Sequence, residues 1–213
     1  PKVIEQAKAK DRQKNTQQHL IFGMPILLKD NINTQDMPTT AGAAFLQSHV
    51  PENDAYIVSQ LQAKGALILG KVNLSEWAYY FCDGCPLGYS AVGGQTLNPY
   101  GRKVFESGGS SSGSGVAVAA NYAVAAVGSE TSGSILSPSG HNAVVGCKPT
   151  IGLVSRTGIV PISSTLDTAG PMTKNVIDNA ILLDAMQGKD ASDPSTTKAP
   201  DQIGKICEFD MRR

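Results

Sequence analysis

Between Ser107 and Gly140 the chain carries ten serines and seven glycines in 34 residues, with Glu130 the only charge. A serine hydroxyl is a weak nucleophile and attacks only when a base takes its proton. The G-x-S-x-G turn of α/β-hydrolases needs glycine two residues to either side of the serine. Ser112 has Ser110 and Ser114 at those places, and Ser134 has Ser132 and Leu136, so neither fits. His141 is the only histidine near this stretch, and its ordinary reading is a polar loop or helix end. A lysine can replace histidine once it is stripped of its proton. An unperturbed lysine is only about 0.04% neutral at pH 7. Burial without a compensating anion lowers its pKa. Bringing it to roughly 7.5 costs the fold about 4 kcal/mol. Lys29 directly follows Ile26-Leu27-Leu28, at a strand end where such a cost can be imposed. Asp30 beside it reads as a turn or cap residue.

Other chemistries fit less well. A phosphate-binding P-loop needs Lys after its last glycine, and here Val116 follows Gly115. The dinucleotide fingerprint fails as well, because Val118 stands where its third glycine belongs. Cys82 and Cys85 form a C-x-x-C, but no second pair of zinc ligands stands at suitable spacing, so they read as a loop with two thiols. No metal and no organic cofactor is expected. Eighteen basic residues balance eighteen acidic ones, without the basic excess of a nucleic-acid binder. No apolar run is long enough for a membrane span. The polar N-terminus is not a signal peptide. The compartment stays open, with the cytoplasm favoured, and the oligomeric state is not legible.

The elements that must hold these residues suggest an α/β layer architecture. Residues 2–18 read as a charge-rich helix. Phe22–Leu28 and Ala66–Val72 read as buried strands, with a helix opening at Asp54 between them and stopping at Gly65. Leu74–Phe81 reads as a short helix capped by Asn73, and residues 82–106 as a long loop. The serine-rich stretch divides into a loop (108–115), a helix of small residues starting at Gly113 or Ser114, a strand (Ala123–Val127) and a second loop (128–134). Small residues let the two serine loops approach each other across buried backbone. Val144–Gly146 and Leu153-Val154 look like strands, and Val176–Met186 like a helix capped by Asn175. Residues 1–188 then form one domain, and 189–213 a polar loop or tail.

The blocks GMPILLKDNI (23–32), SGGSSSGSGVAVAA (107–120), GSETSGSILSP (128–138), GCKPTIGLVSRTGIVPIS (146–163) and DTAGPMTK (167–174) together resemble the amidase signature family. The resemblance covers about residues 20–186. It implies an α/β/α sandwich around a mixed β-sheet and a Ser-Ser-Lys triad: Lys29 as base, Ser110 as bridging serine after a cis peptide bond, and Ser134 as nucleophile. It implies an oxyanion hole from the backbone N–H groups of Thr131, Ser132 and Gly133 together with that of Ser134. The implied reaction is hydrolysis of a carboxamide, on a small molecule or a peptide C-terminus, through an acyl-enzyme.

The sequence departs from the family pattern around the nucleophile. The family commonly has Gly-Gly-Ser-Ile-Arg, and this chain has Ser132-Gly133-Ser134-Ile135-Leu136. A serine in place of the first glycine is expected to carry strain if the backbone there needs positive φ. The missing Arg argues against acidic substrates and against the glutamine-amidotransferase subunit that acts on misacylated tRNA. The peptide-amidase-like subgroup shares both departures and is the nearest in its motifs. Family members are longer, so the chain reads as a piece with the C-terminal part of the fold missing. A non-catalytic, amidase-like chain with a structural or binding role is the alternative, and an esterase is a weaker third.

Overall fold

The computed structural model describes residues 2–13 and 19–198. Pro25–Lys29 (β1) is a strand because its apolar residues find partners on both faces. Ile26 and Leu28 point to one helical layer and Leu27 to the other, the period-two alternation of a pleated strand. Leu67–Val72 (β2) runs parallel to it on one side and Ala125–Glu130 (β5) parallel on the other. Thr168–Thr173 (β7) pairs antiparallel with β5, and Val145–Gly146 (β6) antiparallel with β7. The mixed sheet has the order β2-β1-β5-β7-β6.

Helices cover both faces. Tyr56–Ala63 (α2) and Val176–Met186 (α5) pack Ile57, Leu61, Leu182 and Met186 against Ile26, Leu28 and Val127. Ser112–Ala119 (α3) packs Ala117 and Val118 against Leu27 and Ala126 on the other face. The result is the expected α/β/α sandwich. The crossover from β1 to β2 carries α2 on one face. The path from β2 back past β1 to β5 carries α3 on the opposite face. The strand order therefore reverses direction between β1 and β5, and their C-terminal ends, Lys29 and Glu130, border the crevice where such sheets hold ligands.

Most expected elements are present with shifted ends. The N-terminal helix is Lys2–Asp11 (α1); of the rest of its expected span, residues 12–13 are not helical and 14–18 lie outside the described residues. The α5 helix spans Val176–Met186 as expected, and the Asn175 side chain accepts the Asp178 N–H at 2.9 Å, satisfying one of the free donors at a helix start. Asp54 does not cap α2. Ala55 stands at its start, and Asp54 accepts the Gln35 N–H at 2.8 Å.

Further expectations need correction. Leu153-Val154 lies in a turn, with Val154 buried in the main core cluster. Leu74–Phe81 is only a 3-10 turn at Glu76–Tyr79, broken by positive φ at Trp77, Ala78 and Tyr79. Asn73 does not cap it. Its amide bonds the Gly94 carbonyl and the Thr96 hydroxyl and so ties down the following loop. That loop contains a hairpin, Tyr89–Ser90 (β3) with Gly94–Gln95 (β4), and a Cys82–Cys85 disulfide. Within the expected tail, Pro194–Thr197 (α6) is part of a packed turn in which Asp193 pairs with Arg156 and Asp190 accepts the Ser155 hydroxyl; residues 199–213 lie outside the described residues.

Candidate active site

The Lys29 side chain is 0% exposed, at the C-terminal end of β1. Its Nζ lies 2.7 Å from Ser110 Oγ, 3.0 Å from Ser129 Oγ and 3.1 Å from the Ser129 carbonyl. Burial pushes its pKa down to about 7, and the nearby charges of Glu130 and Asp167 limit the fall. Among the described residues no carboxylate lies within ion-pair distance of Nζ. Lys29 thus has only neutral partners, which is the condition for a lysine to give up its proton.

Ser110 and Ser134 come from the two serine loops, before α3 and after β5. The Gly109–Ser110 peptide bond is cis. The Ser110 carbonyl accepts the Ser75 N–H at 3.0 Å, and the Ser111 N–H donates to the Ser134 carbonyl at 3.0 Å. The Ser111 hydroxyl donates to the Ser129 carbonyl and accepts the Ser129 N–H. Any side chain at Gly128 would meet Ser111 Oγ at 2.9 Å, so a residue without Cβ is what lets the loops close on each other. The structure joins Lys29 directly to Ser110 and brings Ser134 alongside through Ser111. No hydrogen bond links the Ser110 and Ser134 hydroxyls among the described residues.

The turn carrying Ser134, which leads into the short helix Leu136–His141 (α4), is organised by Glu130, a residue whose role sequence reasoning missed. Its carboxylate is 3% exposed and accepts three backbone N–H groups, from Gly133 at 2.7 Å, Ile135 at 2.6 Å and Leu136 at 3.0 Å. The Gly133 N–H is therefore engaged within the turn. The N–H groups of Thr131, Ser132 and Ser134 meet no acceptor among the described residues. Gly133 supplies the turn's positive φ, +79°. Ser132 lies outside the left-handed region, so the strain expected from its replacing glycine does not arise.

Two further residues fix Thr131. The Lys148 ammonium donates to its carbonyl at 2.5 Å, and its hydroxyl donates to Asp167 at 2.5 Å. Asp167 also accepts the Ile162 and Ser163 N–H groups. Glu130 was detectable in the sequence as the lone charge of the serine-rich stretch. Lys148 and Asp167 each sit in a recognised block, though nothing in their spacing indicates what they hold. A cavity of about 280 Å³ reaches Asn31, Ser129, Thr131 and Asp167, and one of about 220 Å³ is walled by Trp77, Tyr80, Phe81 and Pro161. Neither is lined by Ser110 or Ser134. Among the described residues no cluster of metal-ligating side chains is present, and no helix is long and apolar enough to cross a membrane.

The amidase family model matches residues 1–210. The chain belongs to the amidase family. It is 45% identical over 208 residues to a probable amidase of Arabidopsis thaliana, covering 95% of this chain and 40% of that protein. It is 41% identical over 206 residues to a mitochondrial glutamyl-tRNA(Gln) amidotransferase subunit of Anopheles gambiae, covering 93% and 41%. Among solved structures, the native peptide amidase of Stenotrophomonas maltophilia matches with a TM-score of 0.90 at 50% identity, over 95% of this chain and 42% of that one. This member of the amidase family spans about two fifths of the length of these relatives.

Proposed function

We propose that this chain carries the catalytic centre of a serine amidase that hydrolyses a carboxamide to an acid and ammonia or an amine. The reading rests above all on the buried Lys29, whose pKa its surroundings lower to about 7, and which lies 2.7 Å from Ser110 Oγ. A neutral amine has two N–H groups and one lone pair. The two N–H groups suit the Ser129 carbonyl and hydroxyl, and the lone pair faces the Ser110 hydroxyl. Lys29 takes the Ser110 proton while Ser110 takes that of Ser134. Ser134 Oγ then attacks the amide carbonyl and forms an acyl-enzyme.

The developing oxyanion is held by the free N–H groups of the nucleophile turn, those of Thr131, Ser132 and Ser134. Gly133, whose N–H is taken by Glu130, contributes the bend. A trans peptide points its N–H away from its carbonyl. The Lys148 ammonium on the Thr131 carbonyl therefore aims the Ser132 N–H away from itself. One such donor is typically worth about 10²–10³ in rate. The ammonium left on Lys29 returns its proton through Ser110 to the departing amine, and water releases the acid.

An uncharged or peptide C-terminal amide fits better than an acidic one. Leu136, where the family commonly has Arg, is exposed and offers a substrate carboxylate no charge. Identity is also higher to the peptide amidase structure, 50%, than to the structure of a glutamyl-tRNA(Gln) amidotransferase subunit from Thermotoga maritima, 36% with a TM-score of 0.76. The test is labelling with a fluorophosphonate, read by intact mass and peptide mapping, on wild type and Ser134→Ala. One adduct on Ser134, absent from the variant, is expected. Labelling that persists in Ser134→Ala would refute the assignment of the nucleophile.

A further inference from the structure

We propose that Asn31 is a substrate-binding residue that accepts a hydrogen bond from an N–H of the substrate. The inference rests on the amidase reading above and adds a group to it. Asn31 is 6% exposed, yet its Oδ1 has no hydrogen-bond partner. Buried polar side-chain atoms are nearly always paired, so an orphan on a cavity-lining residue points to a place that a ligand completes. Asn31 lines both cavities, the one reaching Ser129 and Thr131 and the one walled by Trp77 and Phe81. It stands where the two meet.

The side chain is held in place. Its Nδ2 donates to Ser129 Oγ at 2.9 Å, and the same oxygen lies 3.0 Å from Lys29 Nζ. Its backbone carbonyl accepts the Val160 N–H at 2.9 Å. One half of the amide is thus tied to the lysine's own partner, which leaves the other half, an acceptor, unpaired on a residue that lines both cavities. An acceptor demands a donor. A carboxamide brings an N–H to this place, on its leaving nitrogen or on an amide next to the acyl carbon. An ester of a plain carboxylic acid brings none. A site that pairs a buried polar group with substrate rejects an analogue lacking the partner more strongly than an apolar pocket rejects a changed shape. Asn31 would therefore set the preference for amides over esters.

The test compares wild type and Asn31→Ala on three matched substrates: phenylpropionamide, its methyl ester counterpart, and N-acetylphenylalaninamide. The first has N–H only on the leaving side, the second has none, and the third has it on both sides. With Asn31→Ala, kcat/KM for at least one amide should fall about tenfold or more, as for loss of one hydrogen bond to a buried group. Freeing Ser129 from Asn31 Nδ2 acts on all three substrates alike, so the readout is the ratio of amide to ester kcat/KM, which should fall about tenfold. Labelling of Ser134 by the fluorophosphonate, which contains no N–H, shows that the variant is folded and scales all three substrates to the fraction of active serine. An equal loss on all three substrates, or no loss on any, overturns the proposal while leaving the amidase reading intact. Failure of wild type to label at Ser134 overturns the amidase reading itself and this inference with it.

Discussion

Replacing Lys29 by Met tests the central electrostatic claim without any substrate. The lysine has a pKa of about 7 in the folded chain, against about 10.5 when unfolded. Between those values the unfolded chain binds a proton that the folded chain does not, so this group makes stability rise with pH. At pH 7 the buried lysine costs about 4 kcal/mol relative to pH above 10.5, and near pH 9 about 2 kcal/mol. Methionine has a similar shape and no charge, so it removes the whole cost. It also removes three hydrogen bonds, to Ser110 Oγ, Ser129 Oγ and the Ser129 carbonyl, at about 1 kcal/mol each. Lys29→Met should therefore be the more stable protein by about 1 kcal/mol at pH 7 and the less stable one at pH 9, with a crossing near pH 8. Urea unfolding of both proteins from pH 6.5 to 9.5, analysed as the difference, cancels every other titrating group. A difference flat within about 0.5 kcal/mol over that range would mean that Lys29 keeps its proton on burial.

Two other substitutions probe its surroundings. Glu130→Gln removes a negative charge that favours the protonated lysine, so the pH midpoint of Ser134 labelling should move below its wild-type value near 7; a midpoint that rises would refute the charge assignment. The same variant loses an acceptor for the turn's N–H groups, and its thermal midpoint should drop. Lys148→Met frees the Thr131 carbonyl and lets the Ser132 N–H swing, so kcat should fall by about 10² with a smaller change in KM. A kcat within about threefold of wild type would remove Lys148 from the oxyanion argument.

The buried strand-end lysine and the α/β class were legible in the sequence because both follow from local pattern. Ile26-Leu27-Leu28 marks a strand buried on both faces, and a charged residue at its end must either reach water or be neutralised. The cap at Asn175 was legible for the same reason. The strand β7 was not. Its residues, TAGPMT, carry Gly and Pro and show no alternation, and all six are buried because tertiary packing overrides a loop-like composition. The broken turn at Trp77 was equally hidden, since three consecutive positive φ values at Trp, Ala and Tyr have no local sequence signal. Ser110 and Ser134 stood out within the serine-rich loops, but Ser129, which also contacts Lys29, did not. Lys148 and Asp167 could not be assigned, because they act on Thr131 from loops that meet only when the sheet is assembled.

Glu130 and Asp167 explain how a lysine can lose its charge beside two carboxylates. Both lie close enough to raise its pKa, and either one in direct contact would keep it protonated. Each is already occupied. Glu130 accepts three N–H groups of the nucleophile turn. Asp167 accepts two from residues 162 and 163 together with the Thr131 hydroxyl. Hydrogen bonds of this kind stabilise a buried carboxylate without a counter-ion. The turn that presents Ser134 and the low pKa of Lys29 thus have a common cause. The carboxylates that shape the Ser134 loop are, by the same bonds, held off Lys29. A change that released Glu130 from the turn would loosen the Ser134 turn and, by pairing with Lys29, keep that lysine protonated.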